Sequence, residues 1–324
     1  PSALEGLIQA NAGFVPSYGA DAITARAADQ IRQRLDADAD VRFVFSGTAA
    51  NAIALSMLTY PFEAVLAHNA AHVCTDETGA PGFFGQGVGL IGLPGFSGRI
   101  DPLALKAQLT EPEVGHRQPP AALSLTQATE YGAVYTEEEL RHLIEPVKAC
   151  GYGVHMDGAR LANAAAAGFD LKDIARLGVD ILVFGGAKAG ASCVEALVLF
   201  DKSLARRLDN RLKQAGQTAS KARALAGPML GLLESGDWEA GGAHANLMAQ
   251  RLAAGIATRS PFVLAHPVES NTVFVRMPAE AHQRLKALGW ACYQFDDGSV
   301  RFVCSWATQE EAVDELIAAI AGLN

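Results

Sequence analysis

The sequence is poor in the residues that would mark several common kinds of protein. Its 324 residues include five cysteines, Cys74, Cys150, Cys193, Cys292 and Cys304, odd in number, scattered and set in apolar stretches. No CxxC spacing occurs, so neither a zinc cluster nor a dithiol redox motif is supported, and a reduced cytoplasmic setting is expected. No uninterrupted apolar run reaches the ~18 residues needed to cross a bilayer. No cationic start followed by an apolar stretch marks a secretory signal. Charged residues are only 19%, with 35 acids against 26 Lys and Arg, for a formal net charge of -9. Such a field repels phosphate polymers and anionic surfaces, so nucleic acid and membrane are not expected partners. Internal repeats, low-complexity tracts and Pro/Ser linkers are missing as well. The chain opens on Pro1 rather than Met, from which a preceding segment is expected.

What is present is a large apolar share, 50%, with 32 Gly and 14 Pro, ample for a real core. The length suits one large and one small domain, drawn at 1–235 and 236–324. Short apolar runs at 41–45, 64–67, 89–92, 122–125, 153–157, 180–184 and 196–200 read as strands. Helical patterns lie between many of them. One runs from Glu137 to Cys150, opened by Thr136 as N-cap and closed by Gly151. Strands separated by helices imply a mainly parallel sheet covered on both faces, with ligands at the carboxyl ends of the strands. From Lys202 the pattern turns helical, through 235 and again over 243–258. Strands at 272–276, 291–295 and 300–304, a helix at 279–288 and a last helix from Gln309 then make a small α+β unit.

Of eight lysines, most suit solvated helix faces. Lys188 instead follows the apolar run 180–184 through Gly185-Gly186-Ala187 and precedes Ala189-Gly190. Small neighbours leave room for a bulky ligand bonded to its amine, and a buried amine shifts toward the neutral nucleophile a Schiff base requires. The bland alternative is a loop lysine beside a flexible turn. Asp157, in His155-Met-Asp157-Gly-Ala-Arg160, falls at a strand end, where a carboxylate can hold a proton on a heteroaromatic nitrogen or simply cap the next turn. In Ser46-Gly47-Thr48-Ala49 a strand turns into a helix whose free N–H groups suit a phosphate, although Ser and Thr N-caps are ordinary and no P-loop pattern is present. His72 lies just past a strand end, placed to stack on a ring or relay a proton. Arg301, on an otherwise apolar strand, calls for an anionic partner such as a carboxylate.

The order of these signals, phosphate turn, His, Asp-x-x-Arg, Lys, then a C-terminal Arg, resembles the fold-type I pyridoxal-phosphate enzymes. More narrowly, the chain resembles the L-threonine aldolases of the β-eliminating lyase superfamily, in their low-specificity and phenylserine aldolase branch. The resembling stretches are 17–21, 45–51, Ala71-His72 with 75–77, 126–130, 155–160, 184–188, 213–216 and 301–306. The fold class that follows is α/β, fold-type I transferase-like, a large domain on a mainly parallel sheet plus a small C-terminal α+β domain.

The resemblance implies pyridoxal 5′-phosphate held as a covalent aldimine on Lys188, with Asp157 on the pyridine nitrogen and His72 stacked on the ring. Gly47, Thr48 and Ala49 would hold the phosphate, with Lys213 reaching it from a neighbouring subunit. Arg160 and Arg301 would clamp the substrate carboxylate, and Tyr18 and Asp21 would lie near a subunit interface. The implied reaction is retro-aldol cleavage of L-threonine, L-allo-threonine or a related β-hydroxy-α-amino acid to glycine and an aldehyde, by a homo-oligomer, minimally a dimer and expected to be a tetramer. No metal is implied.

Three departures stand out. Ala187 and Ala189 replace the Thr and Asn that often flank the lysine, which removes polar contacts there. Thr129 stands where another aldolase branch has a His, so Gln127 or Thr129 is expected to face the cofactor. The usual opening segment, which commonly contributes a serine to carboxylate binding, is missing before Pro1. The competing readings are another pyridoxal-phosphate reaction (β-elimination, racemisation or transamination), a metal hydrolase built on His155 and Asp157, and a weakly active or regulatory homologue.

Overall fold

The computed structural model describes every residue except Glu113, Asp296 and Asn324. Two helices, Ser2–Ala10 and Ala22–Leu35, precede the first strand; neither has a counterpart in the sequence reading. The main sheet contains β1 (Asp40–Val44), β2 (Ala64–His68), β3 (Gly89–Leu93), β4 (Pro120–Thr126), β5 (Gly153–Gly158), β6 (Ile181–Gly185) and β7 (Glu195–Leu199). Their spatial order is β1-β7-β6-β5-β4-β2-β3. Strands β3, β2, β4, β5 and β6 run parallel, whereas β7 is antiparallel to both β6 and β1. Only β7 is reversed, so the carboxyl ends of β1, β2, β4, β5 and β6 and the start of β7 share one edge. That edge carries the site.

The helices form where their caps and apolar spacing dictate. Thr136 and Glu139 close a capping box on helix Glu137–Ala149: the Thr136 hydroxyl accepts from the Glu139 N–H (3.2 Å), and the Glu139 carboxylate accepts from the Thr136 N–H (2.8 Å). Gly151, at φ 78, ends it as the sequence predicts. Helix Gly47–Leu58 is Ala-rich and buried from Ala49 through Leu55, because its small side chains let it lie flat against the sheet.

The small sheet consists of β8 (Val263–Leu264), β9 (Thr272–Arg276), β10 (Tyr293–Gln294) and β11 (Ser299–Val303), antiparallel in the order β10-β11-β9-β8. Helix Asp237–Arg259 bridges the two cores: Trp238 packs in the larger one, while Met248, Leu252 and Ile256 belong to the smaller. No helix among the described residues is long and apolar enough to cross a membrane.

Candidate active site

Two strand ends approach each other unusually closely. A Cβ on Gly185 would lie 2.5 Å from the Gly158 carbonyl oxygen, and one on Gly158 would lie 2.5 Å from that of Val183. Glycine at both places therefore lets the end of β6, which leads to Lys188, close on the end of β5, which carries Asp157.

Lys188 sits in a single short turn, 187–189, and lines a cavity of about 350 Å³ between the two domains. Arg160, Arg301, Asn163, Asn271 and Trp306 line it too. The amine is open to the cavity, yet the surrounding walls strip away bulk water and lower its pKa; the Arg160 guanidinium adds to the shift, against Asp157, Glu130 and Glu195. Three cations in one small space make this a site for an anion. Arg160 is buried and reaches both oxygens of Glu130 only at 3.3 and 3.4 Å. Arg301 lies 5.5 Å from the Phe295 ring centre, and its Nε is buried with no hydrogen-bond partner among the described residues.

Asp157 is 4% exposed. Burial alone would raise its pKa, but Lys188, the Ala159 N–H at 2.9 Å and the Asn51 amide at 2.9 Å hold it below the usual range. The carboxylate is thus kept ionised and aimed. The second amide hydrogen of Asn51 goes to Glu77 Oε1 (2.8 Å), which also binds His72 Nδ1 (2.8 Å). Burial raises the Glu77 pKa, and the Glu77 hydrogen bond raises that of His72, reinforced by the Glu130 and Asp157 charges. His72, Glu77, Asn51 and Asp157 form one hydrogen-bonded chain.

At the end of β1, Ser46 caps helix Gly47–Leu58 by accepting the Ala49 N–H at 3.3 Å. Of the expected phosphate set, the Ala49 N–H is engaged by its own N-cap, while the N–H groups of Gly47 and Thr48 and the Thr48 hydroxyl stand at the helix start, where a phosphate would sit. Thr129 also departs from expectation. It is 1% exposed, and its hydroxyl donates to the Ser97 carbonyl (2.7 Å) and accepts from the Ala133 N–H (3.0 Å), so its one proton is already committed within the fold. Gln127 is likewise spent on the Tyr135 backbone, at 3.0 Å both ways. Asp21 is the N-cap of its own helix, accepting from the N–H and the hydroxyl of Thr24 at 2.8 and 2.9 Å. Lys213 is exposed and stands over the Tyr18 ring of the same chain, 5.0 Å from its centre. His155 is fully buried against Ser124 (2.9 Å) and does not reach the cavity.

Four groups of this site carry no role in the sequence reading: Asn51, Glu77, Glu130 and Glu195. Glu195 accepts the Gly186 N–H at 2.7 Å and stands between the Gly47 turn and the Lys188 turn, its pKa pushed up to about 7 by burial. A lone acid within the apolar run from Val194 to Phe200 was the available signal.

Residues 2–280 match the family model described as beta-eliminating lyase, and the chain belongs to that family. It is 42% identical over 323 residues, 99% of this chain and 93% of the relative, to a low specificity L-threonine aldolase of Pseudomonas sp. (strain NCIMB 10558). A low specificity L-threonine aldolase of Saccharomyces cerevisiae is 25% identical over 278 residues, 85% of this chain and 70% of the relative. Among solved structures, a Leishmania major threonine aldolase superposes with a TM-score of 0.92 at 31% identity, covering 100% of this chain and 96% of that one. An aspartate aminotransferase from Thermus thermophilus, at TM-score 0.75 and 17% identity, shares the fold alone, which is that of the fold-type I pyridoxal-phosphate enzymes.

The residues present fit pyridoxal 5′-phosphate. A lysine of lowered pKa suits its aldehyde, a buried and ionised Asp157 suits a pyridinium, and the Gly47–Thr48 donors suit its phosphate.

Proposed function

We propose that this chain cleaves L-threonine, L-allo-threonine or related β-hydroxy-α-amino acids into glycine and an aldehyde, with pyridoxal 5′-phosphate as cofactor. The observation that carries the reading is the meeting of Lys188, Arg160 and Arg301 in one amino-acid-sized cavity beside an ionised Asp157. When bound, the cofactor supplies an electron sink for the pair released from the Cα–Cβ bond.

The chain's own residues do the rest. Lys188 offers an amine whose pKa is lowered by burial for covalent attachment. Asp157 would hold a proton on the ring nitrogen, and Gly47 and Thr48 would hold the phosphate. Arg160 and Arg301 grip the substrate carboxylate and so fix which bond at Cα stands ready to break. His72 would lie against the ring and take the β-hydroxyl proton. The low-specificity aldolases of Pseudomonas and yeast support the substrate class.

In this reading residues 1–235 hold the cofactor and 236–324 bring Arg301. The enzyme works in the cytoplasm as a homo-oligomer, minimally a dimer and preferably a tetramer, with Tyr18 near the subunit boundary and Lys213 reaching a neighbour's phosphate.

The test is direct. Purified protein with the cofactor should show an absorption band near the visible edge that borohydride abolishes and that Lys188→Ala lacks. It should then release acetaldehyde and glycine from L-threonine. Ammonia or a keto acid as product identifies a different reaction, and a colourless protein that cannot be loaded overturns the assignment.

A further inference from the structure

The chain from His72 to Asp157 contains a mismatch. Asn51 spends both amide hydrogens, one on Asp157 Oδ2 and one on Glu77 Oε1. Its orientation is fixed, because the flipped amide would set an oxygen against two carboxyl groups. Two buried oxygens then remain without a partner among the described residues, Asn51 Oδ1 and Glu77 Oε2. They belong to the two side chains already joined by the 2.8 Å bond from Asn51 Nδ2 to Glu77 Oε1. One hydrogen shared between them would close a cyclic acid–amide pair and satisfy both at once.

We propose that Glu77 is a neutral carboxylic acid, its Oε2–H donating to Asn51 Oδ1, and that it thereby serves as the positioning residue that keeps His72 a neutral base. The inference rests on the reading of His72 as the acceptor of the substrate hydroxyl proton. Glu77 Oε1 accepts the proton on His72 Nδ1, which fixes the tautomer and leaves Nε2 with its lone pair. In the reaction the substrate O–H bond breaks and an N–H bond forms at His72 Nε2, which becomes cationic. The O–H electron pair becomes the second bond of the aldehyde carbonyl as the Cα–Cβ bond breaks, and that bond's pair stays with the Cα of the departing glycine.

The alternative places the one shared proton on His72 Nε2, giving an imidazolium beside a carboxylate. It leaves both buried oxygens unsatisfied and sets an ionised Glu77 one amide away from ionised Asp157. An imidazolium is also unable to accept the substrate proton. The charged and titratable groups facing the pair are Asp157 and Glu130 toward His72, and Asp157 and Cys74 toward Glu77. Glu130 is partly offset by Arg160. Burial of Glu77, whose side chain is fully enclosed, favours its neutral form.

The two arrangements give opposite results in Glu77→Gln, since glutamine mimics the acid and can make the same three hydrogen bonds. The expected result is that E77Q keeps threonine cleavage within about threefold and leaves the His72 pKa unchanged by proton NMR of its ring, whereas Glu77→Ala costs about 100-fold. Loss of about 100-fold in E77Q, with a fallen His72 pKa, overturns the proposal. A second measurement needs no variant. The infrared spectrum of the full wild-type chain, with its glutamates carboxyl-labelled, should at pH 8 retain a protonated carboxyl band after Glu195 has ionised. A spectrum without that band overturns the proposal whether or not the protein cleaves threonine. Failure of the aldolase assay with the band present instead overturns the function and leaves Glu77 as assigned.

Discussion

The indole N–H of Trp238 donates to the carbonyl of Gly185 at 2.8 Å, three residues before Lys188, while its ring stacks on Phe184 at 4.8 Å and 18°. The first turn of the long bridging helix is thereby bolted to the strand end that presents the lysine. Trp238→Phe keeps the stack and removes the donor, leaving a buried carbonyl unpaired. The expected cost is about 1–3 kcal/mol of stability by denaturant unfolding. Weaker cofactor retention should accompany it, read as loss of the visible absorption band on dilution. An unchanged unfolding midpoint would show that the bond does not hold the turn.

Arg160 and Arg301 are expected to differ in function. Arg160 already faces Glu130, whereas Arg301 has a buried and unpartnered Nε, with its pKa lowered by burial and by Arg160. Arg301 is therefore the side chain with capacity to spare for a substrate carboxylate. Arg301→Lys keeps the charge and loses the planar fork, so KM for threonine should rise about tenfold or more with a smaller change in kcat. Glu130→Gln should act in the opposite sense by freeing Arg160, lowering KM. Steady-state kinetics on both variants settles the division of labour.

Much of this was legible in the sequence, for reasons that differ from residue to residue. Lys188 and Asp157 stood out because a charged side chain at the end of an apolar run has few bland explanations, and both lie at strand ends on the edge that carries the site. The reversed β7 was readable in principle: segment 186–194 is shorter than the roughly dozen residues a parallel crossover needs. For Thr129, a position matched by likeness says nothing about a hydroxyl whose proton goes to Ser97 and which accepts from Ala133. Asn51, Glu77 and Asp157 act as a unit, yet lie on three separate segments whose meeting only the folded sheet reveals. Helix Ser2–Ala10 was missed because its contact face consists of Ser2, Gly6 and Ala10, which contribute little to any apolar pattern.

Two buried groups tilt stability with pH in opposite directions. Glu195 has its pKa raised from 4.5 to about 7, so between those values the native state keeps a proton that the unfolded chain has lost. Its contribution falls as pH rises through that window, by on the order of 3 kcal/mol. His155 has its pKa lowered from 6.5 to about 4 by burial, so the unfolded chain binds the extra proton and stability falls as pH drops through that window. Glu195→Gln keeps an acceptor for the Gly186 N–H and removes the first effect. Denaturant unfolding should show the variant gaining on wild type from pH 5 to pH 8. A difference that stays constant with pH would mean that Glu195 does not titrate as described.

The first helix reaches the site through backbone contact. A Cβ on Gly6 would lie 2.2 Å from the Gly227 carbonyl oxygen, so helices Ser2–Ala10 and Arg223–Ser235 touch main chain to main chain. The second helix carries Met229, whose Cε would lie 2.4 Å from a Cβ on Gly186, directly under the turn that holds Lys188. Gly6→Ala gains about 1 kcal/mol in helix propensity but forces the two helices apart, an overpacking cost of about 1–3 kcal/mol or more. Because the obstructing atom is backbone rather than a flexible side-chain end, the steric cost should win. The variant should unfold at lower denaturant concentration, and Met229 should shift beneath Gly186. That shift should appear as reduced cofactor affinity in an absorbance titration, although Gly6 itself lines no part of the cavity. A Gly6→Ala protein as stable as wild type would show that the helices can separate without cost. One that is less stable but binds the cofactor unchanged would show that the contact with Met229 does not position Lys188.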